Sequence, residues 1–272
     1  MDIEPIKEVA LRSAYRAGEI LKSHFGHLTS VTKKGAIDLV TVADIEAEKA
    51  IVETVRARFP EHAILAEESG AIDGDENYRW IIDPLDGTTN FAHNLSFFAV
   101  SIAFALEDEL MLGIVFNPID GEMFIAIKGR GAQLNNQPIQ VTARRSVRES
   151  LLVTGFPYEI DLHSPSLMNR FSNFLTAAQG VRRLGSAALD LCYVACGRFE
   201  GFWEENLNPW DTAAGVLLVE EAGGKVTDFR GARFHIDKKQ ILATNGQIHR
   251  EMISLLLASR PVTVEDEKWV QI

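Results

Sequence analysis

The acidic residues of this chain recur at one kind of place, the ends of apolar segments. The apolar run of residues 63–66 is followed directly by Glu67 and Glu68, and the run of residues 78–82 is followed by Asp83. A carboxylate at the end of a buried strand lies at the edge of the sheet, and the ligand sites of layered α/β proteins form at such edges. The pattern therefore predicts a layered fold with a polar site at a sheet edge.

The remaining hydrophobic pattern predicts two kinds of sheet. Residues 97–106, 110–117 and 122–128 read as strands joined by short, turn-like connections, which is typical of an antiparallel meander. From residue 151 strands and helices alternate. We therefore expect the fold class α/β, in the layered α+β sense, with a mainly antiparallel N-terminal sheet and a mixed C-terminal sheet. We expect residues 1–150 to carry most of the acidic site and residues 151–272 to complete it.

Composition excludes several classes of partner. The chain has 27 basic and 38 acidic residues and a net charge of −11, which argues against direct nucleic-acid binding and against attachment to a membrane surface. It contains neither a signal-peptide pattern nor an apolar run of about 18 residues. Its two cysteines, Cys192 and Cys196, would share one helix face as small buried side chains. We therefore expect a cytoplasmic protein.

The sharpest motif is Asp-Pro-Leu-Asp-Gly-Thr-Thr-Asn-Phe, residues 83–91. Pro84 fixes the backbone between two aspartates, so that we expect the chain to turn there and Asp83 and Asp86 to converge. Carboxylate oxygens suit a hard divalent cation such as Mg²⁺. Gly87 allows close approach of the backbone to a ligand, and the amides that follow could open a short helix that attracts phosphate. An ordinary aspartate-rich turn is the alternative.

Two further acidic elements have plain alternatives when each is taken alone. The pair Glu67 and Glu68 could begin a solvent-facing loop, and Asp211 could merely cap the helix that follows Pro209. Together with the first motif they would form a cluster of carboxylates that repels itself unless cations are bound. Hydrolysis assisted by two metal ions explains the whole set, because one cation activates water and the other stabilises the leaving oxygen.

Five segments resemble the inositol monophosphatase family of Mg²⁺-dependent, lithium-sensitive phosphatases. Residues 83–91 resemble its first signature, and Trp-Asp-Thr-Ala-Ala-Gly at 210–215, continuing to Glu-Ala-Gly-Gly at 221–224, resembles its second. Residues 38–44, 67–69 and 185–188 also match in order and approximate spacing, so that the resemblance covers nearly the whole chain. It implies a bacterial-type member, an alternating α-β-α-β-α sandwich and a homodimer.

The resemblance also implies a metal centre of two or three Mg²⁺ ions, with Mn²⁺ as a possible substitute. Glu67, Asp83 and the backbone carbonyl of Leu85 would hold the first ion. Asp83, Asp86 and Asp211 would hold the second, so that Asp83 bridges the two ions. A third, weaker ion would lie near Glu67.

The catalytic group implied by the resemblance is Asp44, Thr88 and Glu67, in which Thr88 and Asp44 orient and deprotonate the attacking water. Glu68 would be an acid close to the ligands, and Lys33, or equally Lys34, a basic loop residue. The resemblance implies that Gly87 and Thr88 contact the phosphate of the substrate. It implies that the alcohol part of the substrate contacts Gly185, Ser186, Ala187 and Glu204.

These observations predict a phosphomonoester hydrolase that releases phosphate from myo-inositol monophosphate or a similar small polyol phosphate, by direct attack of metal-activated water. Fructose 1,6-bisphosphate, NADP or a nucleotide 3′-phosphate are alternative substrates for the same metal site. A regulatory role as a binding partner of the transcription machinery is the alternative from a different class, although the net charge of −11 argues against direct RNA contact.

Overall fold

The computed structural model describes residues 2–27, 31–33, 39–157 and 165–258. The helices in these ranges are α1 Glu4–His24, α2 Val42–Arg58, α3 Thr88–Ala92, α4 Pro165–Ala177, α5 Ala187–Ala195, α6 Pro209–Glu221 and α7 His249–Leu257, with one 3₁₀ turn at Val147–Glu149. The strands are β1 Val31–Lys33, β2 Leu39–Thr41, β3 His62–Ala66, β4 Gly70–Ile72, β5 Asp75–Asp86, β6 Ala99–Leu106, β7 Glu109–Asn117, β8 Glu122–Ile127, β9 Gly131–Leu134, β10 Gln137–Ile139, β11 Leu151–Thr154, β12 Gly180–Arg182, β13 Gly201–Glu205, β14 Lys225–Thr227 and β15 Gln240–Thr244. None of the described helices is long and apolar enough to cross a membrane.

The larger sheet has eight strands in the order β10-β9-β8-β7-β6-β5-β3-β4. Its neighbouring strands are antiparallel except for β3 and β5, which run parallel. Strand β6 is buried along almost its whole length, because α1 and α2 contact one face of the sheet and α5 and α6 the other. The predicted antiparallel meander is confirmed.

The smaller sheet has the order β12-β11-β13-β15-β14 and is mixed, as predicted. Strand β11 lies parallel to both β12 and β13, whereas β15 lies antiparallel to β13 and β14. A hydrophobic cluster joins this sheet to α4 and α7, and within it the rings of Phe174 and Trp203 stack with centroids 4.0 Å apart. The layers therefore alternate α-β-α-β-α.

Helices α5 and α6 form the central layer between the two sheets. The segment of α6 from Thr212 to Val219 is buried on all sides, because the helix touches a sheet on each face. It approaches β7 so closely at Gly113 that a Cβ there would lie 2.6 Å from the carbonyl oxygen of Ala214. Each of the two larger sheets lies wholly on one side of residue 150, and the division of the chain into two halves there stays a prediction.

The prediction that the chain turns between Asp83 and Asp86 is wrong. Strand β5 continues to Asp86, and its register shifts within this stretch, so that Asp83 lies opposite Ser101 and Asp86 opposite Ala99. Pro84 has no N–H to donate to the ladder, which makes a bulge the natural place for it in a strand. The bulge, rather than a turn, directs the two carboxylates toward the end of the sheet.

Candidate active site

One pocket of about 480 Å³ lies where the ends of β3, β5 and β13 meet the N-termini of α3, α5 and α6. Most of the residues that the sequence singled out as site residues line it. They are Glu67, Asp83, Leu85, Asp86, Gly87, Thr88, Gly185, Ser186, Ala187, Glu204 and Asp211. The fold therefore collects residues from five separate segments of the chain around one small volume.

The bulge in β5 supplies the first two carboxylates. Asp83 is buried, and its Oδ1 accepts a hydrogen bond of 2.9 Å from the backbone N–H of Leu85. Asp86 Oδ2 accepts from Ser186 Oγ at 2.5 Å and from the backbone N–H of Ala188 at 2.7 Å. Asp86 thus binds the first turn of α5, which holds that helix against the end of β5.

The Glu67–Glu68 pair is held by a residue that the sequence did not reveal. Glu48 of α2 is buried, and its two carboxylate oxygens accept from the backbone N–H groups of Glu68 at 2.7 Å and Ser69 at 2.8 Å. The backbone N–H of Glu67 donates to the carbonyl of Ile82 at 3.1 Å. These contacts fix Glu67 beside the end of β5, where its side chain lines the pocket.

Asp211 caps a helix and also lines the pocket. It lies in the first turn of α6, and its Oδ2 accepts a hydrogen bond of 2.7 Å from the backbone N–H of Asn208. The same side chain lines the pocket, as do the two aspartates of β5. The helix-capping contact therefore also orients a carboxylate of the acidic cluster.

Electrostatics sets this cluster apart from a solvated acidic surface. Burial raises the pKa of Asp83 well above its ordinary value, and the negative charges of Glu67, Asp86 and Asp211 raise it further. Burial also raises the pKa of Asp86 to about 6, against hydrogen bonds from Ser186 and α5 that lower it. For Asp211 burial and the charge of Asp86 raise the pKa to about 7. Without protons or cations the cluster repels itself.

The donor set suits a hard divalent cation, because every side chain in the cluster offers oxygen. Within the described residues, however, no three His, Cys, Asp or Glu side chains are arranged so as to enclose a metal ion. One oxygen each of Asp83, Asp86 and Asp211 instead accepts a hydrogen bond from the protein itself. Buried carboxyl oxygens that repel one another are suitable ligands for a cation. To bind an ion, these side chains would have to move closer together.

Thr88 connects the pocket to a buried acid behind it. Its Oγ1 lies 3.1 Å from Asp44 Oδ1 and 3.0 Å from the carbonyl oxygen of Leu85. Asp44 Oδ2 also accepts from the backbone N–H and the hydroxyl of Thr41, which is the predicted capping box. Burial raises the pKa of Asp44, against these hydrogen bonds that lower it. Because a hydroxyl donates one proton while accepting others, Thr88 can accept from a water molecule and donate to Asp44.

Gly87 determines how closely β5 approaches α5. Its φ is +100°, which favours glycine, and it precedes the first residue of the predicted short helix, α3. A Cβ at this position would lie 3.0 Å from the carbonyl oxygen of Phe97 and 3.3 Å from that of Gly185. A side chain at residue 87 would therefore push the phosphate-binding candidates at the start of α3 away from the alcohol-binding candidates at the start of α5.

The other side of the pocket contains two more buried acids. Burial and the charges of Asp211 and Asp86 raise the pKa of Glu204 to about 8, against the charge of Arg183, which lowers it. Burial and the charge of Glu204 raise the pKa of Asp190 well above its ordinary value. Asp190 Oδ1 has no hydrogen-bond partner among the residues that the structure describes.

Sequence reasoning missed about half of the pocket lining. Asp190 had one usable signal, a carboxylate within an apolar helix, whereas Glu205 ends β13 and the others belong to loops without a recognisable pattern. The residues concerned are Gly155, Phe156, Pro157, Arg183, Asp190, Glu205, Asn206, Leu207, Asn208 and Lys239. Glu68 and Asp44 lie near the pocket without lining it. The side chain of Lys33 and the whole of Lys34 lie outside the described part of the chain.

Comparisons with known proteins agree on one family. The model of the inositol monophosphatase family matches residues 2–261. An inositol-1-monophosphatase of Synechocystis sp. is 46% identical over 95% of this chain and 91% of its own length. The Nus factor SuhB of Pseudomonas aeruginosa is 42% identical over 97% of this chain and 100% of its own length. The crystal structure of the extragenic suppressor protein suhB from Bartonella henselae is 41% identical and superposes with a TM-score of 0.89, over 94% of this chain and 100% of that one.

Proposed function

This chain belongs to the inositol monophosphatase family, and from that premise we propose that it is a metal-dependent phosphomonoester hydrolase. Its substrate is myo-inositol monophosphate or a similar small polyol phosphate. The observation that carries the proposal is the cluster of Glu67, Asp83, Asp86 and Asp211 around one pocket, with the pKa of Asp83 raised by burial and by the other three charges. Such a cluster is stable at neutral pH when cations are bound to it.

The proposed metal ligands are those that line the pocket around the bulge. Glu67, Asp83 and the carbonyl oxygen of Leu85 would hold one ion, and Asp83, Asp86 and Asp211 a second, with a third, weaker ion near Glu67. We propose Mg²⁺ for these ions, with Mn²⁺ as a substitute, because both accept oxygen ligands. When bound, the cations would lower the pKa of a water molecule and neutralise negative charge on the phosphoryl oxygens.

Thr88 and Asp44 would place the attacking water. The water would donate a hydrogen bond to Thr88 Oγ1, and the Thr88 hydroxyl would donate to Asp44 Oδ1, which lies 3.1 Å away. As the water oxygen bonds to phosphorus, the water would lose one proton through Thr88 to Asp44, and the bond from phosphorus to the alcohol oxygen would break. The leaving oxygen would take up a proton from solvent, so that phosphate and the alcohol are released. The backbone amides of Gly87 and Thr88 would donate to the phosphoryl oxygens from the start of α3.

The alcohol side of the pocket favours a polyol. Gly185, Ser186 and Ala187 present backbone and hydroxyl groups there, and Glu204 would accept hydrogen bonds from substrate hydroxyls. Glu204 and Asp190 offer a second phosphate no positive charge at this side, whereas substrate hydroxyls can donate hydrogen bonds to their oxygens. The cations Arg183 and Lys239 also line the pocket and are the groups that would favour fructose 1,6-bisphosphate, NADP or a nucleotide 3′-phosphate instead.

A substrate panel tests the proposal. Phosphate release by the purified protein with Mg²⁺ would be measured on myo-inositol 1-phosphate, fructose 1,6-bisphosphate, NADP and adenosine 3′-phosphate. We expect the highest kcat/KM on myo-inositol 1-phosphate. A preference for the bisphosphate or for either nucleotide would replace the polyol assignment while leaving the hydrolase proposal in place. Failure to release phosphate from all four would count against the hydrolase proposal itself.

A second function is favoured by the names of several relatives. The Nus factors SuhB of Pseudomonas aeruginosa and Escherichia coli are 42% and 40% identical to this chain, which suggests a regulatory partnership with the transcription machinery. Asp83→Asn separates the two functions, because a catalytically inactive variant that still rescues a deletion phenotype would support the partner role. Family membership also underlies our proposal of a lithium-sensitive homodimer located in the cytoplasm.

A further inference from the structure

The carboxyl group of Glu204 lies directly over the backbone of Gly155. Glu204 belongs to β13, whose neighbour β11 ends at Thr154 immediately before Gly155. A Cβ built on Gly155 would overlap the carboxyl group of Glu204, whose three atoms are the nearest heavy atoms to that position. Residue 155 therefore has space for a hydrogen atom and for nothing larger while Glu204 keeps this position.

The two strands are fixed against each other at this point. The hydroxyl of Thr154 donates to the carbonyl oxygen of Trp203 at 2.6 Å, and Thr154 pairs with Trp203 in the parallel ladder. Glu204 is itself paired with Ile241 of β15. Since the backbone on both sides is held by neighbouring strands, a side chain at residue 155 would move the Glu204 carboxyl group rather than the strands.

The glycine is not required by backbone conformation. Gly155 is absent from the glycines with positive φ, so that alanine is compatible with its backbone. The atoms that a Cβ would displace are the far end of a flexible side chain, which can rotate without unfolding the protein. What glycine at position 155 provides is therefore room for the carboxyl group of Glu204.

We propose that Gly155 is a positioning residue, which by lacking a side chain lets the carboxyl group of Glu204 lie at the alcohol side of the pocket and thereby sets the preference for hydroxyl-bearing substrates. This inference rests on the proposed function. Both residues line the same pocket, with Glu204 about nine-tenths buried at 9% exposure. A confined carboxyl group at a fixed position accepts hydrogen bonds from the hydroxyls of a polyol and makes no such contact with a substrate whose alcohol part lacks hydroxyls.

The test compares Gly155→Ala with the wild type on two substrates, myo-inositol 1-phosphate and p-nitrophenyl phosphate, whose aryl group has no hydroxyl. We expect Gly155→Ala to raise KM for myo-inositol 1-phosphate by up to about tenfold, the effect of losing one hydrogen bond. We expect KM for p-nitrophenyl phosphate and the melting temperature to stay near their wild-type values. Gly180→Ala is the matched control, because Gly180 lies on the neighbouring strand β12 and its Cβ would meet only side-chain atoms at 3.3 Å.

A double-mutant cycle separates positioning from a general structural role. Glu204→Ala removes the overlapping carboxyl group, and adding Gly155→Ala to it should cause no further rise in KM for myo-inositol 1-phosphate. Should Gly155→Ala fail to fold, Glu204→Asp moves the carboxylate back by one methylene and is expected to raise the same KM selectively.

Three results would overturn the inference. They are an equal rise in KM for both substrates, an unchanged KM for myo-inositol 1-phosphate in Gly155→Ala, and a full additional effect of Gly155→Ala in the Glu204→Ala background. Failure of the proposed function is distinguishable, because the wild type would then release phosphate from neither substrate. That result would remove the inference together with its premise.

Discussion

Replacing Asp83 by Asn is expected to lower Mg²⁺-dependent phosphate release from myo-inositol 1-phosphate by on the order of a thousandfold, the effect of losing a major electrostatic contribution at a reaction centre. Asp83 is the proposed bridging ligand, and the charges of Glu67, Asp86 and Asp211 act on it in the pocket. Asparagine keeps the size of the side chain and can still accept from the N–H of Leu85, but it removes the charge shared by two ions. The measurement is kcat/KM at saturating Mg²⁺.

The same variant should fold and should be more stable than the wild type when cations are chelated near pH 8, because folding disfavours the ionised form of this buried carboxyl group and asparagine does not ionise. Asp108→Asn is the control, since the Asp108 side chain is 69% exposed and lies at a positive φ that asparagine tolerates. Retention of most activity by Asp83→Asn would remove the bridging assignment. A lower melting temperature for Asp83→Asn than for the wild type in the presence of a chelator would contradict the electrostatic account of the cluster.

The stabilisation of the protein by Mg²⁺ is expected to depend steeply on pH. Folding raises the pKa of Asp86 from 3.8 to about 6 and that of Asp211 from 3.8 to about 7. A group whose pKa is raised in the folded state contributes stability that is full below its unfolded value and is lost as pH rises through the folded value. In chelator these two aspartates therefore favour the folded state more at pH 4 than at pH 8.

Mg²⁺ should reverse this trend, because it binds the deprotonated carboxylates and competes with protons. At a concentration about a hundredfold above its dissociation constant, we expect it to raise the melting temperature by roughly 5–10 °C near pH 8 and by much less near pH 5. Melting curves with chelator and with Mg²⁺ at both pH values measure the effect, and Asp83→Asn should lose most of it. An equal shift at both pH values would mean that these carboxylates do not bind the ion.

The parts of the fold that rest on local pattern could be predicted from the sequence. Helix α2 begins where Thr41 and Asp44 form their capping box, because both partners lie within one turn of the chain. Strands β6, β7 and β8 follow from apolar runs joined by short turns. The acidic site could be expected because Glu67, Asp83 and Asp86 lie at the ends of the buried strands β3 and β5, and strand ends meet at sheet edges.

What could not be predicted depends on pairing across long stretches of sequence. The bulge at Pro84 reflects the register of β5 against β6 rather than the residues of β5 alone. Glu48 looks like any exposed helix acid until the fold brings the backbone of Glu68 to it. The overlap of Glu204 with residue 155 arises only when β11 and β13 become neighbours. Contacts between such distant segments leave no periodic pattern in the sequence around the residues concerned.

The central claim is that the carboxylates around Asp83 bind the divalent cations on which catalysis depends. Calorimetric titration of Mg²⁺ into chelator-treated protein near pH 8, with the wild type and Asp83→Asn compared in the same buffer, tests it most directly. We expect the wild type to bind at least two ions with release of protons, and Asp83→Asn to lose binding at both of the sites that Asp83 bridges. Binding of Mg²⁺ by Asp83→Asn with the stoichiometry and affinity of the wild type would contradict the claim.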